Sequence, residues 1–213
     1  MQTTQAPARL SLVSSPAASA TLTSALPLLP EINLFRALAN AETLYPKYME
    51  VIRALFTPLE LSADLERMIV LRIAEKSDCY YAWRQNAVVA QSVGVTAEQI
   101  AALQAGDIGS SCFSQAERAA LTFTDEVMDL IEATDRAYAA VRKHFSERAV
   151  TELLCVIGTY MFVVRLARTG RVPLDAAPAP SPQSTPDLVD DANLQLATAD
   201  RVTDQPTTSG GSS

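Results

Sequence analysis

Residues 78–86 read DCYYAWRQN, and their types and spacing set the first chemical question. On a helix that starts at Cys79, steps of three and four residues place Cys79, Ala82, Trp83, Asn86 and Ala90 on one face. A cysteine at a helix start is a candidate nucleophile, because the helix N-terminus favours a thiolate. Asp78, immediately before it, opposes that charge. Ala82 cannot close a disulfide with Cys79, and the neutral amide of Asn86 cannot shuttle a proton at pH 7. Proton transfer would fall to Asp78, Glu75 or the Tyr81 hydroxyl, tuned by burial. Tyr80, Trp83 and Asn86 would line an apolar pocket with polar edges.

The candidate catalytic residues are therefore Asp78, Cys79, Tyr81 and Glu75, and the candidate substrate-binding residues are Tyr80, Trp83, Asn86 and Arg72. Each has a plainer structural reading. Cys79 and the aromatic residues can be core, and Asp78 can be a helix cap. Arg72 has Glu75 three residues on, the spacing of an in-helix ion pair. Arg72 and Arg165 each interrupt a strongly apolar run, and a buried guanidinium needs an acid partner or an anionic ligand. His144, the single histidine, sits in RKHFSER at a helix junction and reads as a surface or capping residue. The cysteines at 79, 112 and 155 have neither disulfide-framework nor zinc spacing, so no metal is expected. Cys112 could serve only as a distant resolving thiol, and Cys155 is expected inside a buried helix.

The elements that must position these side chains are all helical. Ile32, Leu34, Phe35 and Leu38 form one apolar stripe after Pro30. A second helix is predicted from about Thr43 to Phe56, stopping at Pro58, and a third through ADLERMIVLRIAEK, capped by Ser62. A fourth begins near Asp78 and ends at Gly94. TAEQ at 96–99 and SQAE at 114–117 are capping boxes that open two more. A short helix follows Thr134, and Ser146 caps the last, which runs to about Arg168 before Gly170. That last helix is apolar on opposite faces, so it must be enclosed by its own domain or by a second subunit. A homo-oligomer (dimer, trimer or hexamer) is the expectation.

Composition bounds the rest. The chain has 213 residues, 48% of them hydrophobic, enough for one domain with a sizeable core. A net charge of −7 without a basic stripe argues against nucleic acid and against an anionic membrane surface. The run LLCVIGTYMFVV, between Glu152 and Arg165, is too short to cross a bilayer. Residues 1–30, rich in Ser, Ala and Thr, read as an unstructured lead-in. Residues 176–213, with Pro, Ser, Thr and five aspartates, read as a disordered acidic tail. The folded domain is then 31–175, and a cytoplasmic location is expected.

Within that domain RMIVLR at 67–72, CYYAWRQN at 79–86, VGVTAEQIAAL, FSQAERAALTFTDEV, HFSERAVTELL and GTYMFVVR follow one another in a familiar order. The pattern resembles the alkyl-hydroperoxidase D-like and carboxymuconolactone decarboxylase family. The resemblance implies an all-α, alkyl-hydroperoxidase D-like helical bundle. Redox members of that family carry a Cys-x-x-Cys pair, a histidine four residues later, and a glutamate opening the preceding ELVILR-type helix. Here the four positions hold Cys79, Ala82, Asn86 and Arg67, so three of the four relay groups are changed.

Three functions are compatible with such a chain. The first is a cofactor-independent, non-redox enzyme acting on a small, partly apolar carbonyl or lactone metabolite, by decarboxylation, isomerisation or cyclisation. The second is a thiol peroxidase working through Cys79 alone with an external thiol. The third is a catalytically silent binding protein on the same fold. The missing thiol and histidine place the non-redox enzyme first.

Overall fold

The computed structural model describes residues 7–13 and 32–178, and its regular elements are eight helices with no strand among the described residues. They are α1 (Asn33–Leu38), α2 (Tyr45–Ala54), α3 (Ala63–Lys76), α4 (Tyr80–Ser92), α5 (Ala97–Gln104), α6 (Gln115–Leu130), α7 (Asp135–Val141) and α8 (Glu147–Gly170). The sequence periodicity accounts for each of them.

Local chemistry sets the boundaries. Thr96 and Ser114 each close the full capping box, accepting from the amides of Gln99 and Glu117, whose side chains return to the cap amides. Thr134 and Ser146 accept from the amides of Ala137 and Ala149. Ser62 precedes α3 in extended conformation, but its hydroxyl makes no capping hydrogen bond. Gly94, with φ of +102°, turns the chain after α4 where an L side chain would be strained. Helix α4 begins at Tyr80 rather than at Asp78, because Asp78 is in left-handed conformation (φ +47°) and Cys79 becomes the N-cap.

Helix α3 is the centre of the bundle. Every residue from Leu65 to Ala74 is buried, as α4, α5, α6 and α8 surround it. A helix enclosed on all sides needs no polar face, and the uninterrupted IVLRIA stretch meets that condition except at Arg72. Side chains such as Ile69, Leu71, Ile73, Leu121, Phe123 and Leu153 interlock there, each removing apolar surface from water at about 1.5–3 kcal/mol. A second, smaller core joins Leu38, Tyr45, Met49 and Ile52 to Phe162 and Leu166, with Tyr48 and Phe162 rings 4.4 Å apart.

Helix α8 departs from expectation. Its 24 residues are long and apolar enough to span a membrane by composition alone, yet half of that window is buried against the bundle. The other side is open: Leu154, Cys155, Gly158 and Arg165 are exposed. Cys155 is therefore a surface residue rather than a core one. Arg165 does not bury its guanidinium, which donates back to the Met161 carbonyl. One helical turn carries apolar side chains all round, but the fold covers only part of the circumference.

Two terminal segments pack on this bundle. Residues 7–13, within the lead-in assigned to 1–30, lie against α8, where the amides of Arg9 and Leu10 donate to the Gly170 carbonyl. A Cβ at position 170 would stand 2.7 Å from Leu10 Cδ1, so the glycine permits the close approach. Residues 172–176 cross to α1 and α4. The remainder of the lead-in and the acidic tail beyond residue 178 lie outside the described residues.

Candidate functional site

Cys79 occupies the turn between α3 and α4 and is 3% exposed. Burial raises its thiol pKa; the amides of Ala82 and Tyr81 and the charge of Arg168 pull the other way, while Asp78 adds to the rise. Burial wins, so the helix N-terminus does not deliver a ready thiolate. All three cysteines are free. The contrast with Cys155 yields a direct expectation. Iodoacetamide at neutral pH should label exposed Cys155 first and Cys79 last, by mass spectrometry of timed samples; early modification of Cys79 would contradict its burial.

Two turns along α4, the buried amide of Asn86 meets Arg67 of α3. Arg67 is fully buried, with 0% of its surface exposed. Its Nη1 donates to Asn86 Oδ1 at 2.9 Å and to the Tyr160 hydroxyl oxygen at 3.0 Å, and its Nη2 donates to Glu66 Oε1 at 2.6 Å. Tyr160 in turn donates to Asn86 Oδ1 at 3.3 Å, and Asn86 Nδ2 donates to the Ala82 carbonyl at 2.9 Å. Phe56 lies over the guanidinium, ring centroid 4.8 Å from Cζ, and the Tyr160 ring is 5.8 Å away. Burial works against the Arg67 charge, but Tyr160 and Glu66 outweigh it, and the side chain remains a cation. Burial raises the Glu66 carboxyl pKa, with Arg67 opposing the rise. Burial also raises that of Tyr160, against the pull of Arg67, which leaves a neutral phenol.

The positions that would hold a glutamate and a histidine in the resembled pattern are thus in direct contact here, occupied by a guanidinium and an amide. Neither exchanges a proton at neutral pH. The group in this constellation that can is the carboxyl of Glu66, 2% exposed, while the Tyr160 phenol stays protonated as a hydrogen-bond donor. Glu66 is not among the candidates that the sequence singles out. The signal available was an acid–base pair standing just before a run too apolar to tolerate charge unless both were satisfied inside.

The remaining candidates disperse. Asp78 points outward, its side chain 92% exposed, 3.4 Å from Arg168. Arg168 also donates to the Ser77 carbonyl at 2.6 Å, which fixes the turn carrying Cys79. Tyr80 is 65% exposed, and Trp83 is half-buried against the core. Arg72 is held by protein acids, in a bidentate pair with Asp125 (Nε–Oδ1 2.7 Å, Nη2–Oδ2 2.6 Å) and in the in-helix pair with Glu75 at 2.5 Å. Its guanidinium is therefore spoken for, and Glu75 with it. Tyr81 is buried beneath residues 172–176, away from the Cys79–Asn86 face: its hydroxyl accepts from the Leu34 amide at 3.1 Å and donates to Asp175 Oδ2 at 2.5 Å. Of the sequence candidates, Asn86 joins the buried constellation directly, and Cys79 is the buried N-cap of the same helix. No group of His, Cys, Asp and Glu that could hold a metal occurs among the described residues.

Solved structures share this arrangement of helices. A variant of the debrominase Bmp8, in complex with 2,3,4-tribromopyrrole, superposes with a TM-score of 0.67 at 16% identity, covering 87% of this chain and 99% of that one. The alkylhydroperoxidase AhpD core of an uncharacterised peroxidase-related protein from Ralstonia eutropha JMP134 gives a TM-score of 0.65 at 16% identity, over 80% and 94% of the two chains. A protein of unknown function from Agrobacterium tumefaciens gives 0.60 at 21%, over 65% and 96%. The fold is the AhpD-like helical fold. No family model matches the chain, and no curated protein matches it. The AhpD-like architecture is therefore shared at only 16–21% sequence identity with these structures.

Proposed function

We propose that this AhpD-like protein is a cofactor-independent, non-redox enzyme that acts on a small, partly apolar carbonyl or lactone metabolite, by a decarboxylation, isomerisation or cyclisation. One observation carries the reading: Arg67 and Asn86, hydrogen-bonded at 2.9 Å, stand where a thiol peroxidase would need its proton relay. With Ala82 one turn from Cys79, there is also no adjacent thiol to resolve an oxidised sulfur. What the constellation offers instead is a fixed cation, a neutral phenol and a buried carboxyl group. These can polarise a carbonyl oxygen and move a proton beside it. Positioning between the Phe56 and Tyr160 rings would supply the remainder. That a small heterocycle is bound to Bmp8 shows what that protein accommodates, and it is compatible with a small ligand here.

The test compares wild type, Cys79→Ser and Cys79→Ala in hydroperoxide consumption with a thiol reductant. The expected result is no turnover above background in any of the three. Turnover present in the wild type and lost in both variants would overturn the reading and install Cys79 as a peroxidatic thiol. The complementary arm screens lactones and β-keto acids, with Glu66→Gln expected to lower the turnover of any substrate found by a factor of about 10²–10⁴.

The protein is further read as soluble and cytoplasmic, and as a homo-oligomer. Support for assembly comes from the open side of α8, where Leu154 is 42% exposed beside Cys155 and Gly158. Leu154→Glu should shift the sedimenting species to a smaller mass. A wild type already monomeric at micromolar concentration would end that proposal.

A further inference from the structure

Among the described residues, the buried side-chain polar atom left without a hydrogen-bond partner is Nε of Arg67. The guanidinium is planar and carries five N–H groups in fixed directions. Nη1 serves Asn86 and Tyr160, and Nη2 serves Glu66. Nε itself has no partner, in a residue with no exposed surface. Buried donors are almost always satisfied, and an exception marks strain, water or a ligand site.

Charge decides what kind of acceptor belongs there. Glu66 already stands 2.6 Å from the guanidinium as its counter-ion. A ligand carboxylate would bring a second buried anion to one cation, at a high desolvation cost. A neutral carbonyl oxygen accepts the N–H without changing the charge balance. The aromatic surroundings agree: the rings of Phe56 and Tyr160 flank the guanidinium and offer apolar surface to the carbon skeleton behind that oxygen. Glu66, Asn86 and Tyr160 are buried, whereas Phe56, on the turn between α2 and α3, is partly exposed and is the outermost of these neighbours.

We propose that the Nε edge of Arg67 seats the neutral carbonyl oxygen of the ligand, a ketone or lactone admitted by displacement of the Phe56 ring. The inference rests on the functional reading above and names the atom that would polarise the substrate. Arg67 is then a binding residue in direct contact with substrate, and Glu66 holds its charge in balance.

The experiment observes the Arg67 Nε–Hε resonance in ¹⁵N-labelled protein, assigned by its loss in Arg67→Lys. Cyclohexanone and δ-valerolactone are titrated as neutral probes, with benzoate as the anionic comparator. A saturable shift of this resonance with the neutral probes and none with benzoate is expected. Arg67→Lys, which keeps the positive charge but lacks Nε, should weaken the neutral probes about tenfold, the value of one hydrogen bond. Phe56→Ala should tighten them or speed their exchange. Probe binding that leaves the Arg67 resonance unmoved would sink this seat while the carbonyl-substrate reading survived. A benzoate shift equal to or larger than the ketone's would overturn the charge argument, and absence of any neutral-probe shift would overturn the proposal outright. Failure of the wider reading shows separately, as Cys79-dependent hydroperoxide turnover.

Discussion

Arg67→Met should lower the free energy of unfolding by about 3–5 kcal/mol at neutral pH, the cost of breaking a buried pair from one side. The substitution leaves the Glu66 carboxyl group without its cation and takes a donor from both Asn86 Oδ1 and the Tyr160 hydroxyl. The deficit has a characteristic pH dependence. Burial raises the Glu66 pKa and Arg67 restrains it, so removing Arg67 lets the folded-state value rise further above the unfolded one. A carboxyl group with a raised folded pKa contributes its stability below the unfolded value and loses it as pH climbs through the folded value. Urea titrations should therefore show the Arg67→Met deficit growing with pH above the unfolded glutamate range. Adding Glu66→Gln to Arg67→Met should recover much of it. A deficit independent of pH and untouched by Glu66→Gln would mean that lost packing, not an orphaned charge, is responsible. Replacing both partners with apolar residues, as in Glu66→Leu with Arg67→Met, should come close to wild-type stability, because desolvation of the pair offsets much of its attraction. Stability near wild type in that double variant would mark the pair as one not kept for stability, as the proposed binding role of Arg67 requires.

Local signals specify most of the architecture. TAEQ, SQAE and Ser146 announce their helices because a cap hydroxyl and an amide three residues on are sequence neighbours as well as bonded partners. The enclosed α3 is legible for a similar reason, since a run without a polar face has to be surrounded. The site is less legible, because its bonds cross long stretches of chain. Nothing near Arg67 indicates that Tyr160, 93 residues later, will meet it. Asp78 illustrates a local failure: an acid before an apolar helix reads as a cap, but a left-handed backbone swings it outward and gives the cap position to Cys79. Arg165 and Cys155 are exposed, against the expectation from the sequence, for a geometric reason. Apolar periodicity reports which residues can be buried, and only the positions of the neighbouring helices decide which of them are.

Asp175→Ala should destabilise the protein by about 2–3 kcal/mol, the range for losing hydrogen bonds to a charged acceptor. Asp175 Oδ1 accepts from the Asn33 amide at 2.8 Å, and Oδ2 accepts from Tyr81 at 2.5 Å and Gln85 Nε2 at 2.7 Å. Its carbonyl accepts from Arg84 Nη1 at 2.6 Å. One residue near the end of the described segment thus ties α1 to the first turns of α4, next to the turn that holds Cys79. Loss of its carboxylate should accelerate hydrogen exchange at the Asn33 and Leu34 amides before the core exchanges, because the strap opens as a unit smaller than the whole fold. Tyr81→Phe removes the same hydroxyl from the opposite side, so the double variant should cost less than the sum of the two singles, by 0.5 kcal/mol or more at roughly this range of coupling. The same contact predicts alkaline sensitivity. Burial first, and the Asp175 hydrogen bond second, push the Tyr81 phenol above its usual pKa. A phenol raised in the folded state contributes stability below its unfolded value, about 10, and loses it as pH rises beyond that value toward the folded one. Wild type should lose stability across that alkaline window, and Tyr81→Phe should lose less. Equal losses in both would place the alkaline transition elsewhere in the fold and leave Tyr81 as packing alone.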